Sequence, residues 1–547
     1  MNIKSIVWLI MLLIPHCVAN EQSIGINEKI AMHMFSGAAD NRFALLNNEQ
    51  PNYQQLIATH GQQYLWFDNH NHNHKLNLSG LSLVSLLDDL GINPLSYEIS
   101  EGVINIAQAD QQLSQQLFYI SNLFNGYQLK PTENPKEEII QAVKNHQLAS
   151  YVDQLLPQFD QVVRLRTAIA YYRQLSTSTW PRLDKNLRFT LGQGHPEIVK
   201  IRKILSALGD LNSGDYSAYR QHIFDPEIII ALQKFQARHD LNNNGQLNAQ
   251  TISALNIAPE QRIKIMQINL WRWLSLPSIP PERYLMVNIP SYQLSLIENQ
   301  QETLSMKVIV GDIKHPTPIM VTQVNSVTIN PTWTPPYNIV NKELLPENTS
   351  NPGSLRRQNF TLTQGYGNNR LVQPVFDDSA SIKKALGKYK LVQASGKNNA
   401  LGKYRFNIKN FHSVYLHDTP AKNLFNKTHR ALSHGCVRLQ SAGQLARHLL
   451  TNLSPTIQSL TNQSPTKLDL TKQNLAKKQQ VSKAISSTHT QHFALAQSIP
   501  VYLTYQTVWV AATGKLQWQT DIYQLDAKAS LNTQSRTTVS NVVLAKQ

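Results

Sequence analysis

The sequence predicts a multidomain α+β protein, with a helical scaffold, a small three-helix module and a β-rich domain that carries a capping insertion. Its 547 residues are more than one hydrophobic core usually holds. Apolar residues recur at helical spacing up to about residue 257 and alternate with polar residues from Tyr284 onward. A hydrophobic content of 41% with 16% charged residues is typical of globular domains and argues against wholesale disorder.

Residues 1–19 have the layout of a secretory signal peptide. Lys4 supplies the positive start, residues 6–14 form a short apolar core, and residues 17–19 resemble a cleavage site. We therefore expect an exported protein. The alternatives are a lipoprotein signal with lipidated Cys17, which the two preceding residues disfavour, and an uncleaved signal that anchors the chain in the inner membrane.

Residues 20–195 are predicted to form the helical scaffold. Leu81, Val84, Leu87 and Leu90 lie at helical spacing, as expected for the core of a bundle. The segment NHNHNHK, residues 69–75, has histidines at alternate positions, which on one face of a strand would suit a metal. A polar loop is the preferred interpretation, and no metal site is predicted.

Residues 196–260 are predicted to form the three-helix module. Asp225 is a suitable N-cap, with Pro226 at the first helical position. Phe235 then falls on the apolar side, Gly245 marks a turn, and Thr251 begins the last short helix.

Residues 284–450 are predicted to form the β-rich domain, with a hairpin turn near Glu298 and an insertion over about residues 338–401. The insertion is rich in Gly, Asn and Pro, has a helical patch at residues 381–385, and is long enough to be a lid. Residues 451–498 are a polar Thr/Gln/Lys-rich segment. Residues 499–526 read as two strands around Gly514, expected to return to the β-rich domain as a hairpin, and residues 527–547 are a tail.

The residues suited to catalysis lie around a single cysteine. The sequence has two cysteines, Cys17 and Cys436, and removal of the signal leaves only Cys436, so no disulfide can form within the mature chain. Exported proteins normally pair their cysteines or lack them, so a leftover thiol is either buried and inert or reactive. The residues around it favour a reactive sulfur that a neighbouring imidazole ionises.

Several residues near Cys436 match the needs of nucleophilic catalysis. The thiol needs an adjacent base, and His417 lies at the end of a predicted strand. Gly435 permits close backbone approach, and the amides of Gly435 and Cys436 are expected to bind an oxyanion. Arg438 offers a fixed cation suited to a substrate carboxylate. Ser433 and His434 crowd the same turn.

The segment HDTPAKNLFNKTHRALSHGCVRL, residues 417–439, resembles the signature of the L,D-transpeptidases with a YkuD-type catalytic domain, in which a histidine is followed after a gap by S-H-G-C-x-R. NPTWTPP, KELLP and NNALGKYRF further resemble the large YcbB-like periplasmic members of Gram-negative bacteria. The resemblance implies that residues 196–260 are a peptidoglycan-binding module and residues 284–450 a capped catalytic domain.

The resemblance also implies the roles of the site residues. Cys436 is the expected nucleophile and His417 the general acid/base. His434 and Gly435 belong with the cysteine to the expected oxyanion segment. Arg438 is expected to orient the substrate, and Ser433 is placed beside it as structural support on the substrate-binding side. No cofactor is implied.

The function implied by the resemblance is a periplasmic enzyme that forms 3-3 cross-links between peptidoglycan stem peptides through a cysteinyl thioester. The tetrapeptide donor would release D-alanine, and diaminopimelate on a second stem would be the acceptor, with wall-synthesis enzymes as further candidate partners. The formal charge of +16 suits a carboxylate-rich polymer, and nucleic acid is not expected because no dense basic run is interleaved with aromatics. Three alternatives stay open: lipoprotein-to-peptidoglycan attachment or its hydrolysis, a cysteine peptidase acting on wall peptides, and a non-catalytic wall-binding scaffold.

Overall fold

A computed structural model gives the fold of residues 52–70, 73–92, 105–125, 134–212, 220–365, 370–451 and 467–529. The expected signal peptide lies outside the described residues, as does the tail from residue 530 onward. Within the described ranges, no helix has both the length and the apolar character needed to cross a membrane.

The N-terminal region is mainly helical, as predicted. Its elements are α1 Tyr53–His60, β1 Phe67–His70, β2 Asn73–Leu76, α2 Leu78–Asp89, α3 Ile106–Asn125, α4 Pro135–Lys144, α5 Leu148–Gln154 and α6 Asp160–Ser176. Asparagine side chains cap three of these helices, since Asn52, Asn77 and Asn134 accept hydrogen bonds from backbone amides of the first turn. The polar-loop prediction for the histidine segment is wrong, because His70 pairs with Asn73 in a β1–β2 hairpin. His72 lies outside the described residues.

The three-helix module consists of α7 Glu197–Ala207, α8 Pro226–Arg238 and α9 Ala249–Leu255. The Asp225 carboxylate accepts from the Ile228 amide at 3.1 Å and caps α8. Gln236 fixes the following turn, because its side-chain oxygen accepts from the Gly245 amide at 2.7 Å while its nitrogen donates to the Gln246 carbonyl at 2.8 Å. A fourth helix, α10 Pro259–Leu274, then leads to the β-rich domain.

The β-rich domain is built on one nine-stranded sheet. The strands up to the insertion and within it are β3 Arg283–Asn288, β4 Gln293–Glu298, β5 Gln301–Gly311, β6 Met320–Ile329, β7 Phe360–Gln364, β8 Leu371–Pro374 and β9 Lys390–Gln393. Those after it are β10 Tyr404–Ile408, β11 Leu416–His417, β12 Ala431–Ser433, β13 Val437–Leu439 and β14 Gln491–Thr504. The order of the large sheet is β12-β5-β13-β11-β10-β6-β14-β3-β4, and β4 also pairs with β5, so the sheet closes on itself. The hairpin turn near Glu298 is confirmed, with positive φ at Asn299 and Gln300 between β4 and β5.

The insertion has its own small sheet and core. Strands β7, β8 and β9 pair in the order β8-β7-β9. The helical elements are the turn Tyr337–Ile339, a π-helical turn Val340–Leu344, α11 Leu345–Ser350, α12 Ser354–Arg357 and α13 Ser379–Ala385, the last of which confirms the helical patch. Leu355, Phe360, Leu362 and Ile382 are buried between them.

The C-terminal region corrects the predicted hairpin. Strand β14 already begins at Gln491, inside the segment expected to be polar, and it alone returns to the large sheet, between β3 and β6. The hairpin that follows, β15 Val508–Val510 and β16 Leu516–Trp518, packs its Val508 and Trp518 into the helical core instead. The first half of β14 is largely exposed, so its composition resembles that of a loop. Helices α14 Ala442–Thr451 and α15 Lys467–Ser486 bury Leu445 and Val481 against the sheet.

Candidate active site

The site residues share one face of the large sheet. His417 on β11 is the register partner of Arg438 on β13 and of Arg405 on β10. Register partners on neighbouring strands point to the same side, and residues two apart on one chain do so too. Cys436, which precedes β13, therefore lies on the same face as Arg438 and His417, while Val437 and Leu416 point into the core.

His417 is a buried imidazole whose tautomer is set by the backbone. Its side chain is among the buried polar groups, and Nδ1 lies 2.5 Å from the carbonyl oxygen of Asp418. A carbonyl only accepts, so Nδ1 carries the proton and donates, and Nε2 is left with a lone pair. Burial, with help from the cations of Arg438 and Arg405, lowers the pKa of His417 to about 4. His417 is thus a neutral base at physiological pH.

Cys436 is partly buried. Its Sγ lies 3.9 Å from the carbonyl oxygen of Ser413. Burial raises the pKa of the Cys436 thiol, and a backbone hydrogen bond from Tyr415 and the cation of Arg438 oppose that effect only in part. Among the hydrogen bonds of the described residues, none joins Sγ to His417.

Burial therefore favours a neutral thiol at Cys436 and a neutral imidazole at His417, which argues against a sulfur already ionised by its neighbour. Burial penalises both charged forms, and two guanidinium groups disfavour a third positive charge on the imidazole.

Hydrogen bonds from two buried hydroxyl groups stabilise the turn that carries Cys436. The buried Ser433 hydroxyl donates to the Cys436 carbonyl at 2.5 Å and accepts from the Gly435 amide at 3.2 Å. Thr317 donates its hydroxyl to the Gly435 carbonyl at 2.8 Å and accepts from the Gly311 amide at 2.8 Å. Gly435 itself has a backbone φ of +102°, which residues with a side chain rarely adopt.

These bonds change the expected oxyanion segment. The Gly435 amide, predicted to bind an oxyanion, is already donated to Ser433. Of the amides predicted for this role, the one at Cys436 has no partner among the hydrogen bonds of the described residues. The Ser433 hydroxyl thus stabilises the turn through its two hydrogen bonds.

His434 connects the cysteine turn to the insertion. Its Nε2 lies 2.6 Å from the carboxylate of Glu343, which belongs to the π-helical turn. On its other side the imidazole packs against the His315 ring, with centroids 4.8 Å apart. The His434 side chain therefore contacts the insertion.

Arg438 is a half-buried cation with an unused donor. Its Nε is buried and has no hydrogen-bond partner among the described residues. Burial lowers the pKa of Arg438, which the neighbouring Cys436 and Glu343 oppose. A guanidinium with an unpaired donor on the same sheet face as Cys436 is suited to a carboxylate of a ligand.

The structure adds three residues that the sequence analysis did not select: Arg405, Glu343 and Thr317. The position of Arg405 was readable in part, because it alternates with the core residues Tyr404 and Phe406 and so had to face outward. Neither Glu343 nor Thr317 carried a signal, since their partners His434 and Gly435 lie far away in the sequence.

Comparison with known proteins identifies the β-rich domain. Residues 282–457 match the family model YkuD, described as an L,D-transpeptidase catalytic domain. The chain is 34% identical over 247 residues to a putative L,D-transpeptidase of Haemophilus influenzae, a match that covers 45% of each protein. The chain thus spans less than half the length of that curated relative.

Two solved structures among those matched are also named L,D-transpeptidases. An L,D-transpeptidase of Stackebrandtia nassauensis is 12% identical, with 60% of this chain and 97% of that one covered and a TM-score of 0.19. L,D-transpeptidase 3 of Mycobacterium tuberculosis is 12% identical, with 30% and 56% covered and a TM-score of 0.16. Scores this low add nothing to the match of residues 282–457.

Proposed function

Residues 282–457 are an L,D-transpeptidase catalytic domain, and from this premise we propose that the protein forms 3-3 cross-links between peptidoglycan stem peptides in the periplasm. The observation that supports the chemistry best is the placement of Cys436, His417 and Arg438 on one face of the sheet, with the imidazole held neutral. In this proposal the three-helix module binds the wall polymer and the insertion covers the reacting groups.

The first half of the reaction transfers an acyl group to sulfur. The Cys436 thiol gives its proton to Nε2 of His417 as the sulfur attacks the carbonyl before the terminal D-alanine of a tetrapeptide stem. The tetrahedral oxyanion is stabilised by the Cys436 amide. The carbon–nitrogen bond then breaks, the imidazolium returns the proton to the departing amine, and D-alanine leaves behind a thioester.

The second half transfers the acyl group to an amine. The side-chain amine of diaminopimelate on another stem attacks the thioester and gives its proton to His417. The carbon–sulfur bond breaks and the thiol is re-formed with that proton. An imidazole with a pKa near 4 stays unprotonated at neutral pH, so it is ready to accept a proton in both halves.

The insertion has a defined role in this scheme. The Glu343–His434 contact joins its π-helical turn to the residue two positions before the nucleophile. Covering the thioester in this way limits attack by water, which would turn transfer into hydrolysis.

The test is product analysis with purified protein and wall fragments that carry tetrapeptide stems. We expect muropeptides with a link between two third residues and release of one D-alanine for each link, and neither with Cys436→Ala. Hydrolysed tripeptide as the main product, even with an amine acceptor in excess, would instead identify a peptidase. A carbapenem should acylate Cys436, and an unchanged intact mass after incubation would count against the assigned nucleophile.

A further inference from the structure

The sheet face that carries the nucleophile also carries a continuous polar row. The register partners along this row are Arg438, His417, Arg405, Thr328 and His492, one from each of the strands β13, β11, β10, β6 and β14. All five side chains lie on the same face, because register partners do. The row therefore continues the polar face from Cys436 across four neighbouring strands, with Thr328 buried within it and Arg405 the last member before that buried position.

Arg405 is the cation of this row on which no carboxylate of the described residues has a resolved influence, whereas Glu343 acts on Arg438. Its side chain is half-buried, and burial lowers its pKa without a carboxylate among the opposing influences. In the described part of the chain, no ion pair joins Arg405 to an Asp or Glu side chain. A partly desolvated guanidinium without a counter-ion is costly, so such a group commonly marks a place where a ligand supplies the negative charge.

The neighbours of Arg405 hold it in one orientation. Nε donates to the Asn407 side-chain oxygen at 2.8 Å, and the guanidinium lies 5.3 Å over the Tyr415 ring. The Asn407 amide donates in turn to Ser326 at 2.9 Å and to Thr328 at 3.1 Å. Since Nε is occupied, the two terminal nitrogens are the donors left for a ligand, which is the fork that recognises a carboxylate.

We propose that Arg405 binds a second carboxylate of the donor peptide, borne by the second residue of the stem, while Arg438 takes the terminal one. This inference rests on the proposed function. Arg405 lies two strands away from Arg438, a distance of about 10 Å at roughly 4.8 Å per strand. An extended peptide advances roughly 3.3 Å per residue, about 7 Å over the two residues that separate these carboxylates, and the side chains that bear the charged groups cover the remaining few ångströms. Arg405 is thus a specificity-determining residue for the donor.

The experiment compares two synthetic tetrapeptide donors that differ only in whether the carboxylate of the second residue is free or amidated. Binding is measured by calorimetry in the Cys436→Ala background, so that turnover is not needed, and acyl transfer is measured with the intact cysteine. The variants are Arg405→Gln and Arg405→Lys. Lys264→Gln, an exposed position on α10, is the matched control for loss of one positive charge.

We expect the protein with Arg405 to bind the free donor about 10- to 100-fold more tightly than the amidated one, as for a charge-assisted pair. Arg405→Gln should remove that preference by weakening the free donor alone, through KM rather than kcat. Arg405→Lys should keep part of the preference for the free donor, and Lys264→Gln should keep all of that preference.

An equal loss with both donors in Arg405→Gln would overturn the proposal, since it would show a structural role or an effect through the His417 pKa alone. Unchanged unfolding midpoints of the variants exclude misfolding as the cause of a loss. Absence of transfer by the unsubstituted protein with either donor would overturn the proposed function, whereas transfer without any donor preference would overturn only the role of Arg405.

Discussion

The neutral resting pair predicts how fast a small neutral alkylating reagent modifies Cys436 at each pH. Such reagents react with the thiolate, so the rate follows the ionised fraction. Burial holds the thiol pKa above its ordinary value of 9.0. The thiolate fraction at pH 7 is then at most about 1%, and the rate should rise about tenfold per pH unit through pH 9.

A thiolate–imidazolium pair would behave differently. Sulfur would be ionised through most of the neutral range, and the rate would form a plateau between the two pKa values. The two arrangements therefore differ by about 100-fold in alkylation at pH 7 relative to the high-pH limit.

The assay is the rate of iodoacetamide modification between pH 5 and 10, followed by intact mass, with peptide mapping to separate Cys436 from Cys17. Cys436→Ala gives the background. A rate that is independent of pH between 5 and 8 would refute the neutral pair, and with it the reasoning from burial and the two flanking guanidinium groups.

Four further predictions concern the residues around Cys436. The kcat/KM for acylation should fall as the pH is lowered through about 4, where His417 becomes protonated and stops accepting a proton. A fall centred at pH 6.5 would contradict the low pKa of His417. Gly435→Ala should cost about 1–3 kcal/mol of unfolding free energy, measured by chemical denaturation. The cost comes from the backbone φ of +102° and not from a clash, because the nearest atom to an added Cβ is at an ordinary 3.6 Å. Ser433→Ala should cost about 1–3 kcal/mol by leaving the Gly435 amide and the Cys436 carbonyl without their partner, and an unchanged denaturation midpoint would show that the turn does not depend on it. Glu343→Gln should change the unfolding free energy by less than about 1 kcal/mol, because its contact with His434 is partly exposed, yet speed the alkylation of Cys436 by removing the negative charge that acts on the adjacent Arg438 cation.

Much of the fold was predictable because it depends on local pattern. Alternation of apolar and polar residues identified β3 to β5 and their turn, and the cap and proline at Asp225 and Pro226 identified the start of α8. The pattern failed where burial is uneven along one element. Strand β14 is exposed over its first half and buried over its second, so its start looked like loop and its end like a separate hairpin.

The residues of the site were readable from the sequence, whereas their electrostatics were not. The motif around Cys436 selected the cysteine, His417 and Arg438 before any contact was known. Their pKa values depend on burial and on Arg405, which reaches His417 only through the pairing of β10 with β11. That pairing joins residues twelve positions apart across a loop, and the local pattern of apolar residues did not give its register.

The most direct measurement of the central claim is the mass of the protein during turnover of a tetrapeptide donor without acceptor amine. We predict a covalent adduct on Cys436 whose mass equals the donor less one D-alanine, which disappears with transfer when a diaminopimelate-bearing peptide is added. An adduct at another residue, or steady release of D-alanine with no acylated sulfur at any time, would contradict acyl transfer through this cysteine.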